Sequence, residues 1–291
     1  MTIRDQSLDD FIEQEFQSPV RSGTAQSGGC IHQSRRLNLA DGTRLFVKTN
    51  REESLDIFEK EARGLAVLSS ATREIHIPEV IGILHDSGAK EAHLVLSYID
   101  PSGPDSTFGD RFGRALARLH RNRADAYGLD HDNYIGSLPQ KNTWHSDWPS
   151  FFIRCRLEPQ YALARDNGRL PGKATPCFQN LCSKLEELLP DEPPSLLHGD
   201  LWSGNVLCNN QNLPAIFDPA VFYGHREAEI AFTLLFGGFS ESFYQGYREI
   251  WPLSPGFQSR RDIFNLYPLL VHVNLFGGSY IRQVLSILER Y

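Results

Sequence analysis

The sequence holds few cysteines, five in 291 residues: Cys30, Cys155, Cys177, Cys182 and Cys208. An odd, scattered set excludes a disulfide framework and shows no zinc-ligand spacing. The reading is a cytoplasmic protein with reduced thiols. No apolar run is long enough to span a membrane, and the richest stretch, residues 266–276, is broken by Pro268, His272 and Asn274. Residues 1–20 lack a basic start followed by an apolar core, so no secretory signal is expected. Positive charge is not in excess. A formal net charge of -7 argues against nucleic acid as the main ligand, because phosphate binding needs clustered cations. There is no internal repeat and no low-complexity segment. What remains, at 41% hydrophobic and 22% charged residues, is the composition of a globular enzyme.

The order of elements suggests two parts. Ser7-Leu8-Asp9-Asp10 reads as a helix cap, followed by Leu8, Phe11, Ile12 and Phe16 at helical spacing. Residues 20–48 read as antiparallel strands, 54–68 as a helix, and 81–84 and 92–98 as further strands. The polar, turn-rich stretch 100–106 is the best boundary. Beyond it the chain is mostly helical: 108–120, 148–165, 174–189, and three or four helices after Arg226. Residues 206–208 and 215–217 could pair as a hairpin. The expectation is an α+β fold: a small antiparallel-sheet lobe with one helix over residues 1–99, which binds nucleotide, and a larger helical lobe over residues 100–291.

His198-Gly199-Asp200-Leu201-Trp202-Ser203-Gly204-Asn205, followed by Asp218-Pro219-Ala220, carries the chemistry. An acid, an amide and a second acid at this spacing suit phosphoryl transfer from ATP. Asp200 can orient a hydroxyl for in-line attack, while Asn205 and Asp218 offer oxygens to Mg²⁺ on the phosphates. Protein kinases place His-Arg-Asp, then Asn, then Asp-Phe-Gly in this order. Here Gly199 and Pro219 replace the Arg and the Phe, which points to small-molecule or modified-side-chain acceptors. Lys48 closes the Leu45-Phe46-Val47 strand and is the candidate for the α- and β-phosphates. Glu61 is its expected partner, with Glu59 second. Gly28 and Gly29, in a glycine-containing turn upstream of Lys48, could cradle phosphate. Ser97, Tyr98 and Ile99, leaving the last strand, complete the expected nucleotide contacts. Trp202 could stack on a sugar or an alkyl-amine. Asp147, Trp148 and His225 are further substrate candidates. Glu229 could brace the catalytic loop by accepting backbone N–H bonds. An exposed Cys30 could crosslink two chains.

The chain resembles the fructosamine kinase (ketosamine 3-kinase) family. The resemblance rests on Gly28-Gly29-Cys30-Ile31, Phe46-Val47-Lys48, Phe58-Glu59-Lys60-Glu61, Asp147-Trp148-Pro149-Ser150-Phe151-Phe152, the catalytic segment from Leu197 to Val206, Asp218-Pro219-Ala220-Val221-Phe222-Tyr223-Gly224-His225-Arg226-Glu227 and Phe236-Gly237-Gly238-Phe239. It implies a protein-kinase-like bilobal fold and ATP- and Mg²⁺-dependent phosphorylation of a ketosamine at the sugar's third carbon, on a free amine or a glycated protein. The unstable product would release the amine, so the implied role is protein deglycation. Bacterial-type members resemble kinases of ribulosamines and erythrulosamines more than of fructosamines. The rival readings are an aminoglycoside- or choline-type kinase, and an ATP-binding scaffold with weak catalysis.

Overall fold

The computed structural model describes residues 2–26 and 32–291, so Gly28, Gly29 and Cys30 lie outside the described residues. Contacts divide the chain into two compact units. One joins Met1–Phe108 to Gly204–Pro219; the other joins Gly109–Ser203 to Ala220–Tyr291. The expectation of two successive stretches meeting at residue 99 therefore differs from the observed division. The reason is local pairing. The hairpin of β10 (Val206–Cys208) and β11 (Pro214–Ile216) hydrogen-bonds to His76 and to Ser102, which draws it into the first unit.

The first unit is built on a six-stranded sheet in the order β1-β5-β6-β4-β3-β2. Its strands are β1 (Ile3–Asp5), β2 (Val20–Gln26), β3 (Gln33–Leu39), β4 (Arg44–Arg51), β5 (Val80–Asp86) and β6 (Glu91–Ser97). Only β1, unforeseen in the sequence, runs parallel to its neighbour β5. Two helices cover opposite faces, and strand alternation sorts the side chains between them. Leu8, Phe11 and Ile12 of α1 (Leu8–Phe16) pack on Leu45, Val47, Leu84 and Val95. Phe58, Ala62 and Leu65 of α2 (Leu55–Ala71) pack on Ile83, Leu94 and Leu96. Ser7 caps α1 by accepting from Asp10 N–H at 3.2 Å.

The second unit is mainly helical. It contains α3 (Phe108–Leu119) from Gly109 onward, α4 (Trp148–Phe151), α5 (Glu158–Asp166), α6 (Thr175–Leu188), α7 (Arg226–Leu235), α8 (Glu241–Ile250), α9 (Phe257–Phe276) and α10 (Ser279–Leu288). A π-helical turn over Phe152–Leu157 joins α4 to α5 where one continuous helix is expected. Two short pairs complete the unit, β7 (Asn133–Ile135) with β8 (Leu138–Gln140) and β9 (Ser195–Leu197) with β12 (Phe222–Gly224). Among the described residues no helix is long and apolar enough to cross a membrane. Cys155, Cys177, Cys182 and Cys208 are free thiols.

Helices α3 and α8 approach so closely that glycine is needed on both. A Cβ at Gly113 would lie 1.9 Å from the Phe243 carbonyl oxygen, and one at Gly246 would lie 2.4 Å from that of Asp110. Backbone cannot yield as a flexible side chain can. Gly113→Ala is therefore expected to destabilise the protein by about 1–3 kcal/mol or more, the usual cost of overpacking. Thermal unfolding followed by circular dichroism would show a lowered midpoint, and an unchanged midpoint would contradict the contact.

Candidate active site

Lys48 is where strand geometry first becomes chemistry. Leu45 and Val47 face α1, so Phe46 and Lys48 face the α2 side of the sheet. On α2, Glu61 stands one helical turn from both Phe58 and Leu65, on the face turned to the sheet. The Lys48 ammonium donates to Glu61 Oε1 at 2.7 Å and to Asp218 Oδ1 at 2.6 Å. Its side chain is 5% exposed. Burial alone would discharge it, but the two carboxylates outweigh burial and hold its pKa above the ordinary lysine value. Lys48 is thus a fixed cation, and Glu61, not Glu59, is its helix partner.

The hairpin places the other two groups. Val206 pairs with Ile216, and Phe217 N–H donates to the Asn205 carbonyl at 3.2 Å. Asn205 and Asp218 therefore flank the open end of the same hairpin. Asp218 takes the left-handed conformation with φ 57°, uncommon for a residue with a side chain. Both residues line a pocket of about 230 Å³ in the first unit, together with Phe46, Leu96 and the Ser97-Tyr98-Ile99 segment. Leu207 and Phe217 add to its apolar wall. Sequence reading missed Phe46, Leu207 and Phe217 as pocket residues, although Phe217 adjoins Asp218, and Phe46 and Leu207 lie two positions from Lys48 and Asn205. Ser97 Oγ accepts from Glu79 N–H at 2.9 Å, so this hydroxyl has a structural partner.

Asp200 belongs to the second unit, where its loop is held by a buried carboxylate. Glu229, on α7, accepts from Gly199 N–H at 2.7 Å and from His198 N–H at 3.2 Å. It also pairs with His120 Nε2 at 2.8 Å, and His120 Nδ1 meets the Tyr247 hydroxyl at 2.8 Å. Burial would raise the Glu229 pKa, but the hydrogen bonds and charges of His120, His198 and Gly199 outweigh it and leave it below the ordinary value. His198 is fully buried, and its Nδ1 accepts from Asp200 N–H at 3.3 Å, an internal turn rather than a surface for substrate. The structure also explains Gly199. Its φ is +83°, and a Cβ there would lie 2.0 Å from the Ala220 carbonyl oxygen. An arginine, as in protein kinases, has no room.

The proposed substrate residues divide. Trp202 is 36% exposed and borders an aromatic cluster on the second unit. Phe236 stands edge-on to it at 6.4 Å, His272 lies 4.7 Å beyond Phe236, and Tyr280 and the exposed Phe276 lie 4.9 and 5.5 Å from His272. The signal for His272 was its interruption, with Pro268 and Asn274, of the apolar stretch 266–276. Trp148 and His225 need correction, because each is buried and has a structural duty instead. Trp148 is buried, stacked on Phe152 at 5.0 Å. It reaches only a cavity of about 50 Å³ that it shares with Asp200, enough for about one or two waters and too small for a sugar. His225 is fully buried, caps α7 by accepting from Glu227 N–H at 3.2 Å, and is kept below the ordinary imidazole pKa by burial. Asp147 caps α4 through Ser150 N–H at 2.8 Å.

A family profile for fructosamine kinase matches residues 4–291. The chain belongs to the fructosamine kinase family. It is 40% identical to a probable ketoamine kinase of Synechocystis sp., covering 98% of this chain and 96% of that one. It is 38% identical to a chloroplastic protein-ribulosamine 3-kinase of Arabidopsis thaliana, covering 91% of this chain and 80% of that one. A crystal structure of a protein assigned as a fructosamine-3-kinase from Haemophilus somnus superposes with a TM-score of 0.86 at 29% identity, covering 98% and 96%. The fold is protein-kinase-like and α+β. As a fructosamine kinase family member the protein is an ATP-dependent phosphotransferase acting on a hydroxyl group.

The Glu229 brace yields a stability prediction with a definite sign. A carboxyl whose folded pKa lies below its unfolded one stabilises the protein above the unfolded value, about 4.3 for Glu, and loses that contribution as the pH falls through the folded value. Glu229→Gln should cost about 1–3 kcal/mol at neutral pH, since buried N–H groups lose a charged acceptor. It should also flatten the acid side of the stability profile. Urea unfolding of both proteins from pH 3 to 7 checks this, and parallel profiles would refute it.

Proposed function

We propose that this kinase transfers the γ-phosphoryl group of ATP to the 3-hydroxyl of ketosamines, and that its role is deglycation of amines or glycated proteins. The observation that carries the reading is the Lys48 ammonium held by both Glu61 and Asp218 beside the pocket of residues 97–99, in a chain related over its length to ketoamine and ribulosamine kinases.

In this reading the adenine lies between Phe46, Leu96 and Phe217, with the backbone of residues 97–99 supplying polar contacts. Gly28 and Gly29 approach the phosphates, and Lys48, unable to release its proton, neutralises charge on them. Asn205 and Asp218 are suited to Mg²⁺. They present one neutral and one anionic oxygen side chain, few protein ligands, as expected for an ion that keeps water and phosphate oxygens. A bound magnesium ion would supply charge neutralisation at the phosphates. Asp200 accepts a hydrogen bond from the attacking hydroxyl and aims it. The loose transition state asks for orientation more than for full deprotonation.

A ketosamine carries a basic amine, and the aromatic cluster led by Trp202 suits its alkylammonium end through cation–π attraction. The ribulosamine relative supports a pentulose amine among the acceptors of this reading.

Two outcomes test this reading. Purified protein with ATP and Mg²⁺ should phosphorylate ribulosyl- and erythrulosyl-lysine faster than fructosyl-lysine, kanamycin or choline, with ³¹P NMR placing the phosphate on the sugar. Faster turnover of kanamycin or choline would overturn the substrate class. Asp200→Ala and Asp218→Ala should each lower kcat by about 10²–10⁴-fold with the circular dichroism spectrum unchanged; turnover near wild type in either would refute the role of that residue.

A further inference from the structure

We propose that Arg156 is a positioning residue for Asp200, acting through a buried chain of side-chain amides that keeps the catalytic loop in register. The inference rests on the reading of Asp200 as the group that aims the hydroxyl.

Arg156 lies in the π-helical turn and is 1% exposed. No carboxylate pairs with it among the described contacts. Its guanidinium donates to the carbonyls of Lys141 and Cys155 and to Asn142 Oδ1, and Nε has no acceptor. Aromatic rings surround it: Phe222 at 4.0 Å, Phe151 at 4.6 Å and Tyr267 at 5.4 Å from the guanidinium carbon. Burial lowers its pKa to about 10, so it still carries charge at neutral pH. A buried cation with no carboxylate hydrogen-bonded to it is costly, and π-helical turns, rare overall, occur frequently at functional sites. Packing alone would be served as well by an apolar side chain.

One branch runs donor to acceptor from Arg156 through Asn142 and Asn133 to the Val221 carbonyl, and a second, from Tyr267 through Gln140 to the Ala220 carbonyl, joins it at Asn133 Oδ1. Arg156 Nη2 donates to Asn142 Oδ1 at 2.8 Å, and Asn142 Nδ2 donates to Asn133 Oδ1 at 2.9 Å. Gln140 Nε2 donates to the same Asn133 oxygen at 2.8 Å and to the Ala220 carbonyl at 3.0 Å. Asn133 Nδ2 donates to the Val221 carbonyl at 2.8 Å. Tyr267 closes the network from α9 by donating to Gln140 Oε1 at 2.6 Å. The three amides are buried, so each bond also fixes which way an amide faces.

The chain ends at the strip that seats the catalytic loop. Ala220 N–H donates to the His198 carbonyl at 2.9 Å, and the Ala220 carbonyl oxygen sits where a Gly199 Cβ would be. Phe222, stacked under the guanidinium, pairs with Leu197 in the β9–β12 ladder. Arg156 therefore grips residues 220–222 both by stacking and through the amides, and those residues grip the loop immediately before Asp200. Glu229 holds the other side of the same loop. A shift of about 1 Å in a reacting group can cost about 10²-fold in rate, so loosening one grip should register in kcat.

Arg156→Met, Gln140→Leu and the double variant test the inference. Methionine fills the aromatic cage without charge, an exchange that buried ion sites often tolerate. Each single variant should lower kcat by about 10–100-fold while the KM for ATP stays within about twofold, as expected for a misplaced acceptor-aiming group. The double variant should lose no more than the worse single one, because both act on one chain of bonds. Arg156→Lys should recover part of the loss. If Arg156→Met fails to fold, Asn142→Leu serves instead, since it severs the guanidinium from the amides and leaves it in its cage. A folded Arg156→Met or Asn142→Leu protein with wild-type kcat would overturn the proposal, as would losses that multiply in the double variant. If Asp200→Ala keeps wild-type turnover, the base assignment itself has failed, a result independent of these variants.

Discussion

A single buried carboxylate, Glu229, is the constraint on which the loop that carries Asp200 depends. It collects two consecutive backbone N–H groups of the catalytic loop and one imidazole. Orphaned and buried, those N–H groups would be costly. The loop is therefore held by the expense of releasing it. Helix α7, which carries Glu229, is fastened just as firmly at its first turn. Arg226 makes a two-pronged pair with Glu192 at 2.6 and 2.8 Å, and Glu227 makes another with Arg260 at 2.6 and 2.7 Å. His225 caps the same turn. Ser254 bonds to both Glu192 and Glu227, which ties residues 251–256 to the assembly. The rigidity of the loop is thus inherited from a helix end that cannot slide.

In the first unit the organising constraint is strand alternation. One face of β4 must bury Leu45 and Val47 under α1, so the next residues in the alternation, Phe46 and Lys48, have to face α2. The hydrophobic pattern therefore decides where Lys48 points. A register slip by a single residue would turn Lys48 into the α1 core and leave Glu61 and Asp218 without it. The same hairpin-end geometry that sets Asn205 opposite Phe217 brings Asp218 to Lys48.

Much of this was legible from the residues. Lys48, Glu61, Asn205 and Asp218 are marked by type and spacing, and the structure brings Glu61 and Asp218 onto Lys48 and Asn205 and Asp218 into one pocket. The brace by Glu229 was raised from its place after the second acid, and the two loop N–H groups it accepts agree with that reading. The division into units was not, since hairpin pairing to His76 depends on contacts far apart in sequence. Trp148 and His225 misled because a tryptophan or histidine near a motif looks the same in sequence whether it faces a ligand or fills the core. Only burial separates the two. The amides Asn133, Gln140 and Asn142 carried no signal at all, as polar residues in a loop-rich stretch normally face water.

The three buried arginines of the second unit show how charge is used differently within one core. Arg226 and Arg260 each meet a carboxylate in a two-pronged pair, so their desolvation is largely offset and what they provide is a fixed orientation of α7. Arg156 has carbonyls, one amide and three rings. Rings attract the cation without taking a proton or competing for its hydrogen bonds, and that leaves its N–H groups directed at the loop backbone and Asn142. A carboxylate in their place would stabilise the charge more, but it would take up the donor that now reaches Asn142. With no carboxylate hydrogen-bonded to it among the described residues, the guanidinium keeps the donor that the proposal needs, to act on a strip of backbone it does not touch with a hydrogen bond of its own.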